Sequence, residues 1–481
     1  MVGREGASLP TGARVGDHYA DRPMSAPDRF EPDSFRAFRI VGRAYEPDTR
    51  TITFRYALDD RVTFTESVTF ETPPEQAVDP VGPGFERALL HLHVAAGTSY
   101  YKTAAPAEVV VEGESLSQAE LDFHHHLYDD GLREFAVTNG LPVPRPVTVV
   151  PGRGVAGHPR PAEGALRPGL VVPIGGGKDS MVLIEAVRHL APRHLAPRLI
   201  AVNPHPLVYE LAAEAGLELL VVRRHLDPGL ADLHRAGAMN GHVPITAIVS
   251  LIVVAGAFVY GYDTVAMAVE RSASEETVTV DGVPVNHQYS KGRAFELLLD
   301  DLLRTSIAPE LTYASALRPY SELAISRSFA RVDRYHGTFC SCNAAFRQHA
   351  DTNDRWCGHC PKCRFVGLML APFLVPAELT AIIGVDMFAD PDQVDGFAAL
   401  MSDADKPFEC VGERRESAVA LRMLADQPAW RDSIVVATLA PVAAGLVDDR
   451  DVVALLTAEA DLSFPDPVVA AAVAAMLDGA G

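Results

Sequence analysis

Residues 170–187 read LVVPIGGGKDSMVLIEAV, and this stretch decides the fold class. The short apolar run at residues 170–174 predicts a strand that is buried on both faces. The glycines after it mark a turn in which backbone N–H groups can converge on an anion without interference from Cβ atoms. Residues 179–190 then predict a helix, whose N-terminus adds partial positive charge to the turn.

The chain after this turn alternates strands with helices. Further strands are predicted at residues 199–202, 217–222 and 264–269, and further helices at residues 206–215 and 243–260. Short apolar strands that alternate with helices are typical of a parallel sheet covered on both faces. We therefore predict an α/β fold with a doubly wound parallel sheet.

Residues 38–71 have a different pattern, in which apolar and polar residues alternate in three runs separated by turn residues. This pattern predicts an antiparallel meander. Helices are expected at residues 85–95 and 116–135, the second starting from a capping box formed by Ser117 and Glu120. A stretch rich in Pro, Gly and Arg at residues 142–168 then marks the end of this N-terminal part.

Composition and pattern together predict a multidomain globular chain. Hydrophobic residues make up 48% and charged residues 22% of its 481 residues, so it can bury a sizeable core. The predicted regions are a disordered N-terminal segment at residues 1–35, an N-terminal α+β domain at 36–150, a nucleotide-binding domain at 151–335, a cysteine-rich insert at 336–370 and a helical C-terminal region at 371–481.

Charge and hydropathy restrict the expected partners. The chain has 42 basic and 63 acidic residues, a net charge of -21, which repels polyphosphates at long range and disfavours a nucleic-acid partner. The first 23 residues contain no apolar segment typical of a secretory signal. The longest apolar run, residues 245–260, is shorter than the roughly 20 residues that a membrane span needs. We expect a cytoplasmic protein without a membrane partner.

The glycine turn does not match the two best-known nucleotide loops. A Walker loop needs glycine at the position of Val172, and Ser or Thr at the position of Asp179. The dinucleotide fingerprint needs a third glycine where Ser180 stands. The turn instead resembles the Ser-Gly-Gly-x-Asp-Ser loop of enzymes that split ATP into AMP and pyrophosphate, with Gly175 in place of the first serine.

That resemblance implies an ATP site of the adenine nucleotide alpha-hydrolase type. Mg²⁺ would bridge the phosphates and be held by a carboxylate such as that of Asp179. The residues implied in nucleotide binding are Gly175, Gly176, Gly177, Lys178, Asp179 and Ser180.

Weaker candidates lie where the other parallel strands end, because ligands of such sheets bind outside the carboxyl ends of the strands. We expect Asn203 and Arg271 to contact the nucleotide, although each is equally consistent with a solvated loop residue. The basic turn at residues 290–293, which contains Lys291, precedes a predicted helix and is a further anion-binding candidate.

Five of the six cysteines lie between Cys340 and Cys363. Four thiolates in nearly this spacing are typical of structural zinc sites. We predict such a site, in which five cysteines for four positions leave one spare thiol and His359 is a further candidate ligand. Buried free thiols and catalytic thiols are the alternatives. The predicted ligands are Cys342, Cys357, Cys360 and Cys363.

Two carboxylate-activating families share some of these features. The loop and the cysteine run resemble the zinc enzymes that make the nitrile precursor of queuosine, but that resemblance covers only the middle of the chain. A wider resemblance, over residues 36–430, is to the MurL-type epimerases. It rests on GGGKDS at residues 175–180, CNAAFR at 342–347, the cysteine run at 357–363 and PFECVG at 407–412.

Membership of the MurL-type family implies inversion of the terminal L-glutamate of UDP-N-acetylmuramoyl-L-alanyl-L-glutamate in peptidoglycan synthesis. It also implies a functional link to the ligase that adds L-glutamate to muramoyl-alanine. Adenylylation would neutralise the carboxylate and make its α-hydrogen removable. Inversion then needs proton exchange on both faces of the α-carbon. The candidate catalytic residues are Lys178, Asp179, Lys291, Cys340, Cys342 and Cys410, with His287 and His336 as further proton-transfer candidates.

Three rival functions remain open at the level of sequence. The first is an ATP-dependent ligase or nitrile synthase, which would need ammonia or an amine. The second is a tRNA sulfur transferase, which the charge of -21 disfavours. The third is a non-catalytic nucleotide sensor.

Overall fold

The computed structural model describes residues 29–71, 80, 82–157, 166–190, 197–345, 355–402, 407, 409 and 411–479. Residues 1–28 of the predicted disordered segment and Cys410 lie outside the described residues. Residues 29–35 of the same segment are packed against the protein. The backbone N–H of Phe30 donates to the carbonyl of Ala236 over 2.8 Å, and Phe30 and Phe35 are buried.

The described strands form one large sheet and one small hairpin. In chain order they are β1 Ala37–Glu46, β2 Thr51–Leu58, β3 Val62–Glu71, β4 Glu108–Val111, β5 Thr148–Pro151, β6 Leu170–Pro173, β7 Arg198–Val202, β8 Leu219–His225, β9 Thr264–Met267, β10 Val278–Val280, β11 Val283–Val285 and β12 Thr312–Ser315.

The described helices cover both faces of the large sheet and fill the C-terminal region. They are α1 Pro83–Ala96, α2 Thr98–Tyr101, α3 Gln118–Tyr128, α4 Arg133–Thr138, α5 Lys178–Val187, α6 Pro206–Ala215, α7 Gly229–Arg235, α8 Ile245–Tyr260, α9 Arg293–Leu302, α10 Glu322–Phe329, α11 Pro361–Leu370, α12 Pro376–Ile383, α13 Val394–Ala399, α14 Arg414–Ala425, α15 Ile434–Leu446, α16 Asp449–Leu456 and α17 Pro467–Leu477.

One half of the large sheet, with the order β12-β9-β6-β7-β8, is entirely parallel. The strands and helices predicted for this part are confirmed, with ends shifted by at most a few residues. The chain moves from β6 to one side through β7 and β8, and then returns to the other side through β9 and β12. Ligands bind at the carboxyl ends of the strands beside such a reversal, here between β6 and β9.

The predicted antiparallel meander is confirmed as β1, β2 and β3. The predicted capping box is also present: the N–H of Ser117 donates to Glu120 Oε2 over 2.7 Å, and Ser117 Oγ accepts from the N–H of Glu120. The sequence predicted the meander as part of an N-terminal α+β domain, separate from the domain with the parallel strands. In the structure β3 pairs antiparallel with β8, from Ser67 opposite His225 to Glu71 opposite Val221, so the meander and the parallel strands share one sheet. The boundary near residue 150 stays a prediction.

The two faces of the sheet contact separate apolar cores. Along β6, Val171 belongs to one core, whereas Leu170 and Val172 belong to the other. The apolar helix α8 lies within the first core, which confirms the prediction of a buried helix. Among the described residues, no helix combines the length and the apolar composition that a membrane crossing requires.

Candidate active site

The glycine turn connects β6 to α5 and leaves the start of the helix open. Gly176 has a φ of 100°, a conformation that favours glycine, and Gly177 is the residue before the helix. Among the described residues no side chain caps α5, and a Cβ placed on the exposed Gly175 would meet no described atom within 4 Å. The hydroxyl of Ser180 donates to the carbonyl of Gly177 over 2.9 Å and so holds the turn. The first N–H groups of α5 can therefore receive an anion.

Lys178 points into the protein. Its side chain is buried, and Nζ pairs with the carboxylates of Asp179 and Glu322. Burial alone would lower the pKa of Lys178, but the two carboxylates outweigh it and raise the pKa above its usual value. The ammonium thus supplies a positive charge next to the glycine turn. Both of its direct partners are carboxylates.

Three carboxylates form an acidic group beside the turn: Asp179, Glu270 and Glu322. Their nearest oxygen atoms lie within 4.8 Å of one another. Asp179 follows β6, Glu270 follows β9 and Glu322 follows β12, so the group lies at the reversal of strand order. Burial, and then the charge of Asp179, raise the pKa of Glu322 to about 7. Carboxylate oxygens in such a group suit a hard cation such as Mg²⁺.

Four of the five clustered cysteines face one another, as the sequence predicted. Their Sγ atoms are separated by 4.0 Å between Cys342 and Cys360, 3.8 Å between Cys357 and Cys363, and 3.5 Å between Cys360 and Cys363. Tetrahedral coordination with Zn–S bonds of about 2.3 Å places sulfur atoms about 3.8 Å apart. The four thiols therefore fit a structural zinc ion.

The fifth thiol, that of Cys340, lies outside this group. It donates to the carbonyl of Arg355 over 2.7 Å, and burial raises the pKa of Cys340 to about 12. The backbone N–H of Cys340 donates to the carbonyl of Gly176 over 3.0 Å, and Ser341 Oγ lies 3.1 Å from the position of a Cβ on Gly177. The cysteine segment thus packs directly against the glycine turn.

The two remaining sequence motifs also converge here. Asn343 of CNAAFR donates to Glu409 of PFECVG over 2.8 Å. A Cβ on Gly412 would lie 2.2 Å from Glu416 Oε2, and Glu416 Oε1 accepts the N–H of Glu322 over 2.8 Å. All four motifs therefore contact one another or the acidic group.

Two of the predicted nucleotide contacts make other interactions. The Asn203 side chain joins β7 to β8, because its amide donates to the carbonyl of Arg224 and accepts from the N–H of Arg224 over 2.8 and 2.9 Å. Arg271 pairs with Glu459 over 2.6 Å. Neither side chain belongs to the acidic group, and their contact with a nucleotide stays a prediction.

A second cluster of polar side chains, the histidine group, consists of Glu134, His242 and His287. His287 Nδ1 is hydrogen-bonded to Glu134 Oε2, and His242 Nδ1 lies 3.9 Å from the same oxygen. The two imidazole centroids are 4.5 Å apart. His287 was a sequence candidate, whereas Glu134 and His242 were missed because nothing in their local sequence indicates that they meet.

Two family models match most of the chain. The family model described as the MurL N-terminal domain matches residues 29–316, and that of the MurL C-terminal domain matches residues 338–452. No solved structure matches the chain.

Curated relatives match over most of the chain. A protein of Salinispora tropica is 42% identical over 84% of this chain and 88% of its own length. A Micromonospora protein is 42% identical over 84% of this chain and 90% of its own length. A protein of Xanthomonas oryzae pv. oryzae is 39% identical over 85% of this chain and 90% of its own length. Each is named UDP-N-acetyl-alpha-D-muramoyl-L-alanyl-L-glutamate epimerase. The chain therefore belongs to the MurL family.

Proposed function

We propose that this protein epimerises the terminal L-glutamate of UDP-N-acetylmuramoyl-L-alanyl-L-glutamate to D-glutamate in peptidoglycan synthesis. The shared name of three relatives, each matched over at least 88% of its length, supports the substrate. The observation that carries the mechanism is the open glycine turn beside the acidic group at the reversal of strand order. The substrate is made by a ligase that adds L-glutamate to muramoyl-alanine, and we place both steps in the cytoplasm.

We propose that ATP is the co-substrate and that the glutamate carboxylate is activated as an acyl adenylate, with release of pyrophosphate. Activation matters because a carbanion next to a free carboxylate would share its charge with an existing anion. The N–H groups at the start of α5 would bind phosphate oxygens, as in doubly wound sheets of the adenine nucleotide alpha-hydrolase type. Hydrolysis of the adenylate would then give AMP and the free acid.

The metals have separate proposed roles. Asp179, Glu270 and Glu322 would hold Mg²⁺, which supplies positive charge to the phosphates. The Lys178 ammonium would add a second positive charge close to the phosphates. It already pairs with two of these carboxylates, those of Asp179 and Glu322. Zinc on the four facing cysteines would fix the segment that packs against the glycine turn.

The structure reduces the list of candidate proton-transfer residues. Cys342 is one of the four facing thiols, and Cys340 donates to a backbone carbonyl, so both suit structural roles better. His336 is hydrogen-bonded to the carbonyl of Phe329 over 3.1 Å, and its ring packs against Phe329. Lys291, His287 and Cys410 remain proposed proton donors or acceptors.

The reaction itself tests this proposal. With ATP, Mg²⁺ and the UDP-linked L-Ala-L-Glu substrate in deuterated water, we expect a product with D-glutamate that carries deuterium at its α-carbon. AMP and pyrophosphate should appear together. Free L-glutamate should react poorly, because contacts to the remote sugar and nucleotide would position the reacting carbon.

The rival functions give other products in the same assay. Consumption of ATP with glutamate left entirely L and unlabelled, followed by amide or nitrile formation when ammonia is added, would establish a ligase. Binding of tRNA at low salt with transfer of sulfur would establish a sulfur transferase. Nucleotide binding without AMP release would leave only a sensor.

A further inference from the structure

We propose that His287, held by Glu134 within the histidine group, is a catalytic base that removes the α-hydrogen of the activated glutamate. This inference rests on the proposed function and assigns its proton-transfer step to a place in the fold. The imidazole would take the proton on the ring nitrogen opposite Nδ1, which is hydrogen-bonded to Glu134.

The arrangement has the geometry of an oriented base. A carboxylate bonded to one imidazole nitrogen fixes the ring and stabilises the imidazolium that forms when the other nitrogen takes a proton. The side chains of Glu134, His242 and His287 are 10%, 20% and 16% exposed, so they are partly desolvated yet reachable. Burial, opposed by Glu134, lowers the pKa of His242 to about 4, which keeps this neighbouring ring neutral near pH 7.

One buried arginine joins the histidine group to the acidic group. Arg318 follows β12 and donates Nη1 to the carbonyl of Glu270 over 2.8 Å and Nη2 to the carbonyl of Lys291 over 2.7 Å. Glu270 supplies a carboxylate of the acidic group, and Lys291 lies four residues after His287. A single guanidinium therefore joins the backbone of Glu270 to the backbone of Lys291, four residues from His287.

A second, independent path leads through the start of α14. The N–H of His287 donates to Thr277 Oγ1 over 3.2 Å, and the carbonyl of Thr277 accepts from Arg414 over 3.1 Å. Arg414 lies two residues from Glu416, which accepts the N–H of Glu322. Two sets of contacts therefore tie the segment of His287 to the segments of the acidic group, and we place the substrate with its carboxylate at the glycine turn and its α-carbon towards His287.

The surrounding charges favour an anionic substrate over a metal ion at this position. The three side chains approach closely enough for a cation, but the charges of Lys291 and Lys102 act on His242 and oppose one. The N-terminus of α8 begins three residues after His242 and adds partial positive charge. The same charges would attract a substrate that carries a diphosphate and carboxylates.

In the proposed step the α-C–H bond breaks, the proton moves to His287, and the electron pair delocalises into the acyl carbonyl as an enolate. Inversion is completed when a solvent-exchangeable acid, for which we propose Lys291, returns a proton to the opposite face. Deuterium from solvent therefore enters the product.

The test separates activation from proton transfer on the full-length protein. For His287→Asn we expect inversion of the UDP-linked substrate to fall by about 10²–10⁴-fold, the usual contribution of a general base. Exchange of the α-hydrogen in deuterated water should be lost from one of the two diastereomers. Release of AMP and pyrophosphate should continue, since the glycine turn is untouched; this also reports that the variant is folded.

Matched variants sharpen the result. His126→Asn is the control, because His126 also pairs with a carboxylate, Asp130 at 2.6 Å, but lies on the surface of α3, and inversion should be unchanged. Glu134 is a positioning residue: Glu134→Gln should lower kcat with little change in KM, and Glu134→Asp should restore part of the loss.

Each outcome decides the matter. Inversion by His287→Asn and by His287→Gln within about 3-fold of the wild type would overturn the inference and leave the proposed function intact, since such a difference is far below the contribution of a general base. Loss of AMP release together with inversion would also overturn it, because His287 would then serve activation. A wild-type protein that releases AMP without inversion would overturn the proposed function, and the inference with it.

Discussion

Two clusters in this molecule contain the same residue types, two histidines and a glutamate, in opposite surroundings. In the first, His91 is hydrogen-bonded to His124 over 2.9 Å and to Glu120 over 3.1 Å, and all three side chains are fully buried. In the second, the histidine group, the side chains are 10–20% exposed.

The first cluster (His91, His124 and Glu120), which we call the sealed cluster, is held by further hydrogen bonds from neighbouring residues. Arg87 Nε donates to Glu120 over 2.6 Å, and the backbone N–H of Ser117 donates to the same carboxylate over 2.7 Å. Burial alone would raise the pKa of Glu120, but hydrogen bonds from His91 and Arg87 lower it. Burial lowers the pKa of both histidines, so they are held neutral. The cluster therefore joins α1, which contains Arg87 and His91, to α3, which contains Glu120 and His124.

Residue composition therefore does not separate a structural cluster from a chemical one. The difference lies in access for a substrate and in the charges that surround the group. The sealed cluster already contains the cation that balances its glutamate, whereas the histidine group faces lysines and a helix N-terminus that can balance an anionic ligand.

The largest expected effect contrasts the two glutamates. Glu120→Ala should lower the free energy of unfolding by about 3–5 kcal/mol, because it leaves the partly buried Arg87 and the buried His91 without their partner. Glu134→Gln should lower it by only about 1 kcal/mol, since the amide keeps one hydrogen bond. Urea unfolding of the two variants against wild type measures both values.

The comparison would break if the order were reversed. A Glu120→Ala protein with wild-type stability would mean that the sealed cluster is not structural. An unfolded Glu134→Gln protein would mean that the histidine group is needed for folding, and its loss of activity would then carry no chemical meaning.

A smaller effect on stability is expected when a cysteine of the proposed zinc site is compared with one outside it. Cys360→Ser should remove one zinc ion per chain and lower the melting temperature by a few degrees, because zinc binding contributes folding energy. Cys340→Ser is the matched control, since Cys340 lies outside the four facing thiols. Elemental analysis and thermal melts check both.

Equal zinc content in the two variants would argue against the assignment of the four ligands. A wild-type protein without metal, together with an unchanged melting temperature for Cys360→Ser, would remove the zinc site from the account altogether.

The parallel strands could be predicted because each is a short apolar run bounded by turn residues, as in residues 170–174 before the glycines. The short strands β4, β5, β10, β11 and β12 were missed, since a run of three or four residues is recognised only where it is apolar and beside clear turn residues, as β6 is. The pairing of β3 with β8 joins segments about 150 residues apart and has no local signal.

The site was predictable only where its residues are close together in the sequence. The turn from Gly175 to Ser180 and the four facing cysteines could be recognised from spacing. Glu322 lies in the first turn of α10, where acidic residues are common for reasons of helix stability alone. Its meeting with Lys178, 144 residues away, is a property of the tertiary fold.

The central claim is that ATP must activate the carboxylate at the glycine turn before the α-hydrogen can leave. The direct measurement is deuterium incorporation at the glutamate α-carbon with ATP, without nucleotide, and with an ATP analogue whose α,β-bond cannot be cleaved. Of these three conditions, we predict deuterium incorporation and AMP release only with ATP. The Asp179→Ala variant should keep its fold and give neither deuterium incorporation nor AMP. Incorporation at an equal rate without nucleotide, or by Asp179→Ala, would contradict the account.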